Sequence, residues 1–210
     1  MSAVTIDTRL IGGMFREYTP KLKLDFGKKS KKLSDEDFFD FCRENADLRI
    51  EMDKNGEIEI MPPTGSETGI KNFKLIGRFW VWVEKNGTGE GFDSSTGFIL
   101  PNGAKRSPDL SWVKLEKWNA ISPAKRKKFA PLCPDFVVEI RSETDSLKNL
   151  QEKMTEYIEN GASLGWLIDV KSKKVYVYQP NTQVKILDKS AEVSGEPTLQ
   201  GFVLQMGEIW

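Results

Sequence analysis

The sequence predicts an α/β fold in which a mixed central β-sheet is flanked by helices, with an accessory hairpin near the N-terminus. Residues 67–86 repeat apolar side chains at steps of three and four, as a long amphipathic helix does. Residues 136–141 are a short apolar run rich in β-branched side chains, which is typical of a central strand. Residues 48–60 alternate apolar and polar side chains around an Asn-Gly pair, which predicts the hairpin. This order of strands and helices favours one sheet covered by helices.

The first half of the chain is predicted to form an arm, a helix, the hairpin and the long helix, in that order. Residues 1–32 have weak periodicity and many lysines, so we expect an arm or loop ahead of a single domain at 33–210. Ser34, followed three residues later by Asp37, is a capping-box-like start for a helix. The hairpin comes next, and then the long helix, which should end at Gly87. The predicted packing stripe of that long helix is Ile70, Phe73, Ile76, Trp80 and Val83, widened by Leu75, Phe79 and Trp82.

The second half of the chain is predicted to supply the rest of the sheet. A short helix should begin at Ser122-Pro123, because proline is favoured in the first turn of a helix. A longer helix over about 146–160 should follow the central strand and stop at Gly161. Residues 166–178 read as a second hairpin. Further strands are expected at 91–93, 97–100 and 109–113, with one or two more before Trp210.

The composition excludes several classes of enzyme. The chain has 31 basic and 31 acidic residues, and this zero net charge argues against a general polyanion binder. It has no histidine, which excludes a Ser-His-Asp triad, a Cys-His pair and the histidine-based zinc sites. The two cysteines form no C-x-x-C motif, and no signal peptide or membrane span is visible, so we expect a cytoplasmic protein. What remains is carboxylate chemistry with Mg²⁺ or Mn²⁺.

Acidic residues in apolar strands form the candidate site. Asp109 follows Ser-Pro at the head of one predicted strand, and Glu139 lies inside the central strand. A carboxylate in a core strand is costly to bury unless it binds something. Two carboxylates with a nearby cation can hold a divalent metal against a phosphodiester, which points to a metal-dependent nuclease. Asp135 is a poor third member, because it lies about 13 Å from Glu139 along the same strand.

Nearby cations complete this candidate site. Arg141 shares a face with Glu139, because alternate side chains of a strand point the same way. Lys153 and Tyr157 form an i, i+4 pair on the next helix, so both can lean over the same spot. Simpler interpretations stay open: Asp109 as a turn residue, Glu139 in a buried salt bridge to Arg141 or Lys153, and Lys153 as an ordinary exposed lysine.

A wider set of motifs accompanies these residues: Pro108-Asp109, Val138 to Ser142, Asp145, Lys153-x-x-x-Tyr157, Asn160-Gly161, and Trp166 to Asp169. Together with the stretch 61–69, they resemble the Uma-two family of restriction-endonuclease-like proteins. This family is a bacterial branch of the PD-(D/E)XK nuclease superfamily. The resemblance extends from about Ser34 to Trp210 and implies a restriction endonuclease-like core sheet with helices on both faces.

The resemblance also implies a metal site. Asp109 and Glu139 would be the metal ligands, with the backbone carbonyl of Ile140 as a third. Glu67, near the start of the long helix, matches a place where the superfamily often has an extra acidic ligand. At a first-turn position, Glu67 is equally consistent with an acid favoured by the helix dipole.

One position departs from the superfamily pattern. The superfamily lysine normally lies two residues after the glutamate, where this chain has Arg141. Arginine cannot deprotonate at working pH and so cannot serve as a base, although it can steady a phosphate. We therefore assign the lysine role to Lys153, with Tyr157 fixing Lys153 or donating to a phosphate oxygen.

The function implied by the resemblance is a Mg²⁺- or Mn²⁺-dependent endonuclease acting on DNA. A homodimer is expected by analogy with nucleases that cut both strands. Two alternatives stay open at this point. One is a catalytically inactive domain of the same fold that binds nucleic acid or protein, which Arg141 and the zero net charge favour slightly. The other is a phosphoesterase that acts on small phosphate esters.

Overall fold

A mixed central sheet is present, as the sequence predicts. The structure is a computed structural model that describes the backbone of Leu22–Leu24 and residues 33–210. Apart from Leu22–Leu24, the predicted arm at 1–32 lies outside the described residues.

Short strands and helices follow each other along the chain. The described strands are β1 (Leu22–Leu24), β2 (Arg49–Met52), β3 (Ile58–Met61), β4 (Gly89–Asp93), β5 (Phe98–Ile99), β6 (Lys105–Arg106), β7 (Leu110–Lys114), β8 (Phe136–Arg141), β9 (Leu164–Asp169), β10 (Lys174–Tyr178), β11 (Lys185–Asp188), β12 (Glu192–Ser194) and β13 (Val203–Gln205). The described α-helices are α1 (Asp35–Glu44), α2 (Ser66–Asn86), α3 (Leu115–Asn119), α4 (Pro123–Arg126) and α5 (Leu147–Glu159), with a 3-10 helix at Met206–Glu208.

The central sheet has the strand order β11-β10-β9-β8-β7-β4. Strands β8 and β9 run parallel, whereas the other neighbouring pairs are antiparallel. Parallel neighbours need a crossover connection, and α5 supplies it between β8 and β9. The apolar run at Phe136–Arg141 is central and almost wholly buried, in line with its predicted position.

The two faces of the sheet carry separate hydrophobic cores. Val138 packs on the side of α2, in a core that includes Leu75. Val137 packs on the side of α5, in a second core that includes Met154. Because side chains alternate along a strand, Glu139 follows Val137 and faces α5. Helices therefore lie on both faces, as expected, and the α5 face receives the acid.

The predicted packing stripe of α2 is wrong at three positions. Ile70, Phe73 and Trp80 are 56%, 79% and 59% exposed, respectively. The helix buries Leu75 and Phe79, two of the residues predicted to widen the stripe. Apolar side chains occupy most of the circumference of α2, so periodicity alone does not identify the face that meets the sheet. The partly buried residues that join the packed face are Ile76, Trp82 and Val83.

The predicted hairpin is present as β2 and β3 but belongs to a larger accessory sheet. This sheet has the order β1-β3-β2-β6-β5. Helix α1, which begins with the predicted capping box at Ser34, covers one face by packing Phe38 against Ile50. Because side chains alternate along β2, Arg49 and Glu51 lie on the opposite face from Ile50.

The chain after the second hairpin supplies three strands, one more than the upper number predicted. Strand β11 extends the central sheet beside β10, and β12 pairs with β13 in a separate ribbon. Val193 and Leu204 of this ribbon join the core on the side of α2. Among the described helices, none combines the length and the apolar character that crossing a membrane requires.

Candidate active site

Neighbouring strands place Asp109 and Glu139 side by side. In the antiparallel pair β7–β8, Leu110 lies opposite Val138. The same register, continued by one residue, places Asp109 opposite Glu139. The backbone N–H of Ile140 donates to Oδ2 of Asp109 at 2.8 Å, which fixes the carboxylate against β8. Asp109 and Glu139 therefore lie side by side on neighbouring strands, at the point where β7 begins.

Helix α5 presents Lys153 and Tyr157 to Glu139. The Nζ atom of Lys153 lies 2.8 Å from Oε1 of Glu139, and the Tyr157 hydroxyl donates to the same oxygen at 3.1 Å. The i, i+4 spacing places both side chains on one face of the helix. Lys153 is largely buried and ion-paired, so the interpretation as an exposed helix lysine does not hold. Tyr157 is fully buried, and its hydroxyl serves Glu139.

Glu51 is a second carboxylate on Lys153, and it comes from the accessory sheet. Its Oε1 atom lies 2.9 Å from Nζ of Lys153 and also accepts from the backbone N–H of Ser107 at 2.9 Å. Its Oε2 atom lies 3.2 Å from Nη1 of Arg106, whose Nη2 atom lies 2.6 Å from Glu156 of α5. Only 1% of Glu51 is exposed. The Lys153 ammonium is thus held between carboxylates of two different sheets.

The two carboxylates on Lys153 differ in pKa. Burial raises the pKa of Glu139 to about 7; Lys153 opposes this shift, and the negative charges of Asp109 and Glu51 add to it. Burial also acts to raise the pKa of Glu51, but Lys153 and Arg106 outweigh it and lower that pKa to about 2. The physical reason is the surrounding charge, because Glu51 is ion-paired to two cations and accepts from a backbone N–H, whereas Glu139 is ion-paired to Lys153 alone and lies near two acids.

Lys153 remains a cation in this environment. Burial acts to lower the pKa of Lys153, but the charges of Glu139 and Glu51 outweigh it, so that the pKa is raised. The Tyr157 hydroxyl stays protonated, since burial and the Glu139 charge raise its pKa well above the ordinary value. Tyr157 can therefore donate its hydrogen bond to Glu139 throughout the neutral pH range.

Asp109 has its own counter-ion, Arg49 of β2. Both Nη1 and Nη2 of Arg49 lie 3.2 Å from Oδ1 of Asp109, and Nη2 also donates to the backbone carbonyl of Ser107 at 2.7 Å. The accessory sheet thus contributes both cation and anion to the site through alternate residues of one strand, Arg49 and Glu51.

A cavity of about 750 Å³ opens over these residues. Its walls come from the central sheet, α5, β2 and the segment that leads into α2. The candidate residues among its lining are Asp109, Glu139, Ile140, Lys153, Arg141 and Glu67, and Arg49 also lines it. The structure therefore places six of the seven candidates on one cavity, with Tyr157 directly behind Glu139.

Three other residues do not contact Asp109 or Glu139 through a described hydrogen bond or ion pair: Arg141, Glu67 and Asp135. Arg141 donates from Nη1 to Asp169 at 2.9 Å, which braces the parallel pair β8–β9. Glu67 lines the cavity from the first turn of α2, but no hydrogen bond or ion pair joins it to the pair within the described residues. Asp135 accepts from the backbone N–H of Lys114 at 2.9 Å, lies 3.5 Å from Nζ of Lys117, and does not line the cavity.

The carboxylate oxygens of Asp109 and Glu139 fit a hard divalent cation that takes few ligands from the protein. Within the described part of the chain, no three His, Cys, Asp or Glu side chains are grouped so as to hold a metal. Asp109 and Glu139 are nevertheless adjacent and face one cavity with Ile140. Mg²⁺ usually keeps several waters and takes one or two carboxylates plus substrate phosphates. Two carboxylates on one cavity match the protein donors that such a site takes.

Sequence reasoning missed Glu51, Arg49 and Arg106. In β2 the polar residues alternate with apolar ones, and such a pattern normally means that the polar face is in water. Here that face meets Lys153 of α5 and the residues just before β7, Ser107 and Asp109, so Glu51 is buried. The sequence contains the opposite charges at alternate positions, Arg49-x-Glu51, but nothing in it places them near Asp109 or Glu139.

Comparison with known proteins agrees with this architecture. The model of the Uma2 (Uma-two) family, described as "putative restriction endonuclease", matches residues 35–207. A crystal structure of an Anabaena variabilis protein, described as a putative nuclease of the DUF820 family, aligns with a TM-score of 0.64 and 20% sequence identity. The alignment covers 76% of this chain and 88% of that one, and it supports a shared fold. No curated protein matches the chain. By the family match over most of its length, the chain belongs to the Uma2 family.

Proposed function

We propose that this protein is a metal-dependent endonuclease that hydrolyses phosphodiester bonds of DNA with Mg²⁺ or Mn²⁺. The observation that supports this function is the meeting of Asp109 and Glu139 on one cavity, with the ammonium of Lys153 at 2.8 Å from Glu139. Membership of a family described as "putative restriction endonuclease" favours nucleic acid as the substrate over a small phosphate ester.

Asp109, Glu139 and the carbonyl of Ile140 would hold the metal. When bound there, a divalent metal supplies Lewis-acid chemistry, lowering the pKa of a coordinated water and offsetting charge on the phosphate. Glu67 is a further acid on the cavity wall and is proposed as an outer ligand that acts through water. Tyr157 keeps Glu139 oriented through its hydrogen bond and is a positioning residue.

Lys153 is proposed to act as a cation. It lies on the cavity wall, with its ammonium 2.8 Å from Glu139 and 2.9 Å from Glu51. A buried ammonium placed next to a phosphate stabilises the negative charge that develops in the transition state. Arg141, held by Asp169, contributes positive potential to the same cavity and supports the end of β8.

A second candidate is a binding domain that keeps the fold without catalysis. The observation that favours it is that a protein cation already counters each acid: Arg49 lies on Asp109 and Lys153 on Glu139. In such a domain the ion pairs would be structural, and the cavity would bind nucleic acid or protein without a metal.

Cleavage assays test the proposal directly. Supercoiled and linear DNA are incubated with Mg²⁺ or Mn²⁺ and the wild-type protein, Asp109→Asn or Glu139→Gln, with Glu90→Gln as an exposed control on β4. A small aryl phosphate is tested alongside. The proposal expects metal-dependent cutting of DNA by the wild type and the control, lost in the other two variants. If the folded wild type neither cuts DNA nor binds Mn²⁺, the binding domain becomes the better account.

A homodimer belongs to the same proposal, since cutting both strands of a duplex is commonly shared between two subunits. Light scattering coupled to gel filtration measures the mass of the particle against the 23.9 kDa chain. A particle of one chain mass at the concentrations used for cleavage would remove the dimer from the proposal.

A further inference from the structure

Arg49 occupies one of the two oxygens of the carboxylate that the proposed metal needs. Two of its nitrogens point at Oδ1 of Asp109, each at 3.2 Å, while the backbone N–H of Ile140 takes Oδ2 at 2.8 Å. A carboxylate oxygen has two lone pairs, so the guanidinium occupies the accepting positions of Oδ1. A divalent cation at Oδ1 would also be repelled by the guanidinium, since like charges a few ångströms apart repel strongly in a partly buried site.

The two cations of the site are not equally fixed. Lys153 is held by two carboxylates, and Glu51, one of the two, is 1% exposed. Arg49 has one carboxylate partner and one neutral partner, the Ser107 carbonyl at 2.7 Å; its side chain is 32% exposed, and it lines the cavity. Its Nε atom is buried and has no hydrogen-bond partner in the described structure. Arg49 is therefore the cation whose release costs less.

We propose that Arg49 and the divalent metal compete for Asp109, and that metal binding releases the Arg49 guanidinium to bind a phosphate oxygen of DNA. This inference rests on the proposed endonuclease function and adds a coupling between metal and substrate. Arg49 is a positioning residue for Asp109 before the metal binds and a phosphate ligand afterwards. A guanidinium suits that second role because its paired N–H groups match two phosphate oxygens.

The position of Arg49 supports the exchange. The side chain starts on β2, whose Glu51 stays anchored to Lys153 and to the backbone of Ser107, so the strand need not move. The guanidinium lies on the wall of the same cavity as Asp109 and Glu139, where a phosphate would approach the proposed metal. Rotation of the side chain alone can therefore transfer its charge from the acid to the substrate.

The first test measures the dissociation constant for Mn²⁺ without DNA, by calorimetry, for the full-length wild type and three variants. Arg49→Met removes the charge, and Arg49→Gln removes it but keeps an N–H donor for Asp109, so at least one is expected to fold. Lys71→Met removes a lysine that lines the same cavity and forms no ion pair with Asp109. Both Arg49 variants should bind Mn²⁺ about tenfold tighter, equivalent to 1.4 kcal/mol, and Lys71→Met should change the affinity little.

The second test measures affinity for duplex DNA in Ca²⁺, used as a probe that need not support cleavage. Arg49→Met should bind the metal more tightly but the DNA more weakly, and a merely structural role would not produce these opposite changes. Wild-type Mn²⁺ affinity in both Arg49 variants would overturn the competition while leaving the endonuclease intact. Absence of Mn²⁺ binding in every variant and in the wild type would remove the metal-dependent function, and the competition with it.

Discussion

Glu51 and Lys153 form a buried ion pair, with 2.9 Å between Oε1 and Nζ, that joins the accessory sheet to α5. The two residues are 102 positions apart in the sequence. Because Lys153 also pairs with Glu139, the position of the proposed catalytic ammonium depends on a strand that is not part of the central sheet. The accessory sheet is thus part of the site, and substitutions in β2 should change both stability and activity.

Glu51→Gln tests the stabilising part of that relationship. At pH 7 we expect a loss of about 3 kcal/mol, as for removal of one partner of a buried ion pair. The folded pKa of Glu51 is about 2, below its usual 4.5, so its stabilisation is complete above pH 4.5 and is lost as the pH falls towards 2. Urea unfolding at pH 7 and pH 3 should therefore show a smaller difference between variant and wild type at pH 3.

The control for this measurement is Glu90→Gln on the exposed side of β4, which should leave the free energy of unfolding nearly unchanged at both pH values. A difference between Glu51→Gln and wild type that stays the same at pH 7 and pH 3 would contradict the lowered pKa. It would indicate that Glu51 stabilises the fold through packing and hydrogen bonds and not through its charge.

The orientation of α2 gives a second prediction. Leu75→Ala should destabilise the protein by about 3 kcal/mol, because it opens a cavity in the core beneath the sheet. Ile70→Ala, on the same helix but 56% exposed, should cost less than about 0.5 kcal/mol. Thermal or urea unfolding of the two variants measures the contrast. A similar loss of stability in both variants would mean that Ile70 is packed in the folded protein, as the helical periodicity predicts.

How far the sequence predicts the site depends on which signal each residue carries. Asp109 and Glu139 stand out in the sequence because acids are rare in apolar strands. Lys153 and Tyr157 stand out because helical spacing places them on one face of the same helix. The adjacency of β7 and β8 could be anticipated from these residues. The helical stripe of α2 could not be oriented, since apolar side chains such as Phe73 and Leu75 lie on both sides of it.

The contributions of Arg49 and Glu51 depend on tertiary structure alone. Polar and apolar residues alternate along β2, and this alternation would place Arg49 and Glu51 in water if β2 and β3 formed an isolated hairpin. Glu51 is buried and Arg49 is half-buried because β5 and β6 enlarge the accessory sheet and Lys153 of α5 reaches its polar face. Pairing across 58 residues, as between Arg49 and the Ser107 carbonyl, leaves no periodic trace in a single sequence.

Tyr157→Phe tests the orientation of Glu139. The hydroxyl donates to Oε1 of Glu139 at 3.1 Å, and its loss should cost about 1 kcal/mol of stability. We also expect a fall in the cleavage rate, since Glu139 would lose one of its two orienting contacts. Tyr178→Phe is a matched control, because Tyr178 is buried but its hydroxyl has no described hydrogen-bond partner. Equal rates for Tyr157→Phe and Tyr178→Phe would exclude a positioning role for the Tyr157 hydroxyl.

The last prediction separates Lys153 from Arg141 as the residue in the superfamily lysine role. Lys153→Met should lower the DNA cleavage rate by about 100-fold or more, as loss of a transition-state charge contact does. Arg141→Met should have a smaller effect on the rate, because Arg141 is bound to Asp169 and not to Glu139. Lys148→Met is the control, since Lys148 lies on the same helix with an exposed side chain. Circular dichroism checks that each variant is folded before rates are compared. A larger loss in Arg141→Met than in Lys153→Met would reverse the assignment, and it would place the essential cation on β8, two residues after Glu139, where the superfamily pattern has its lysine.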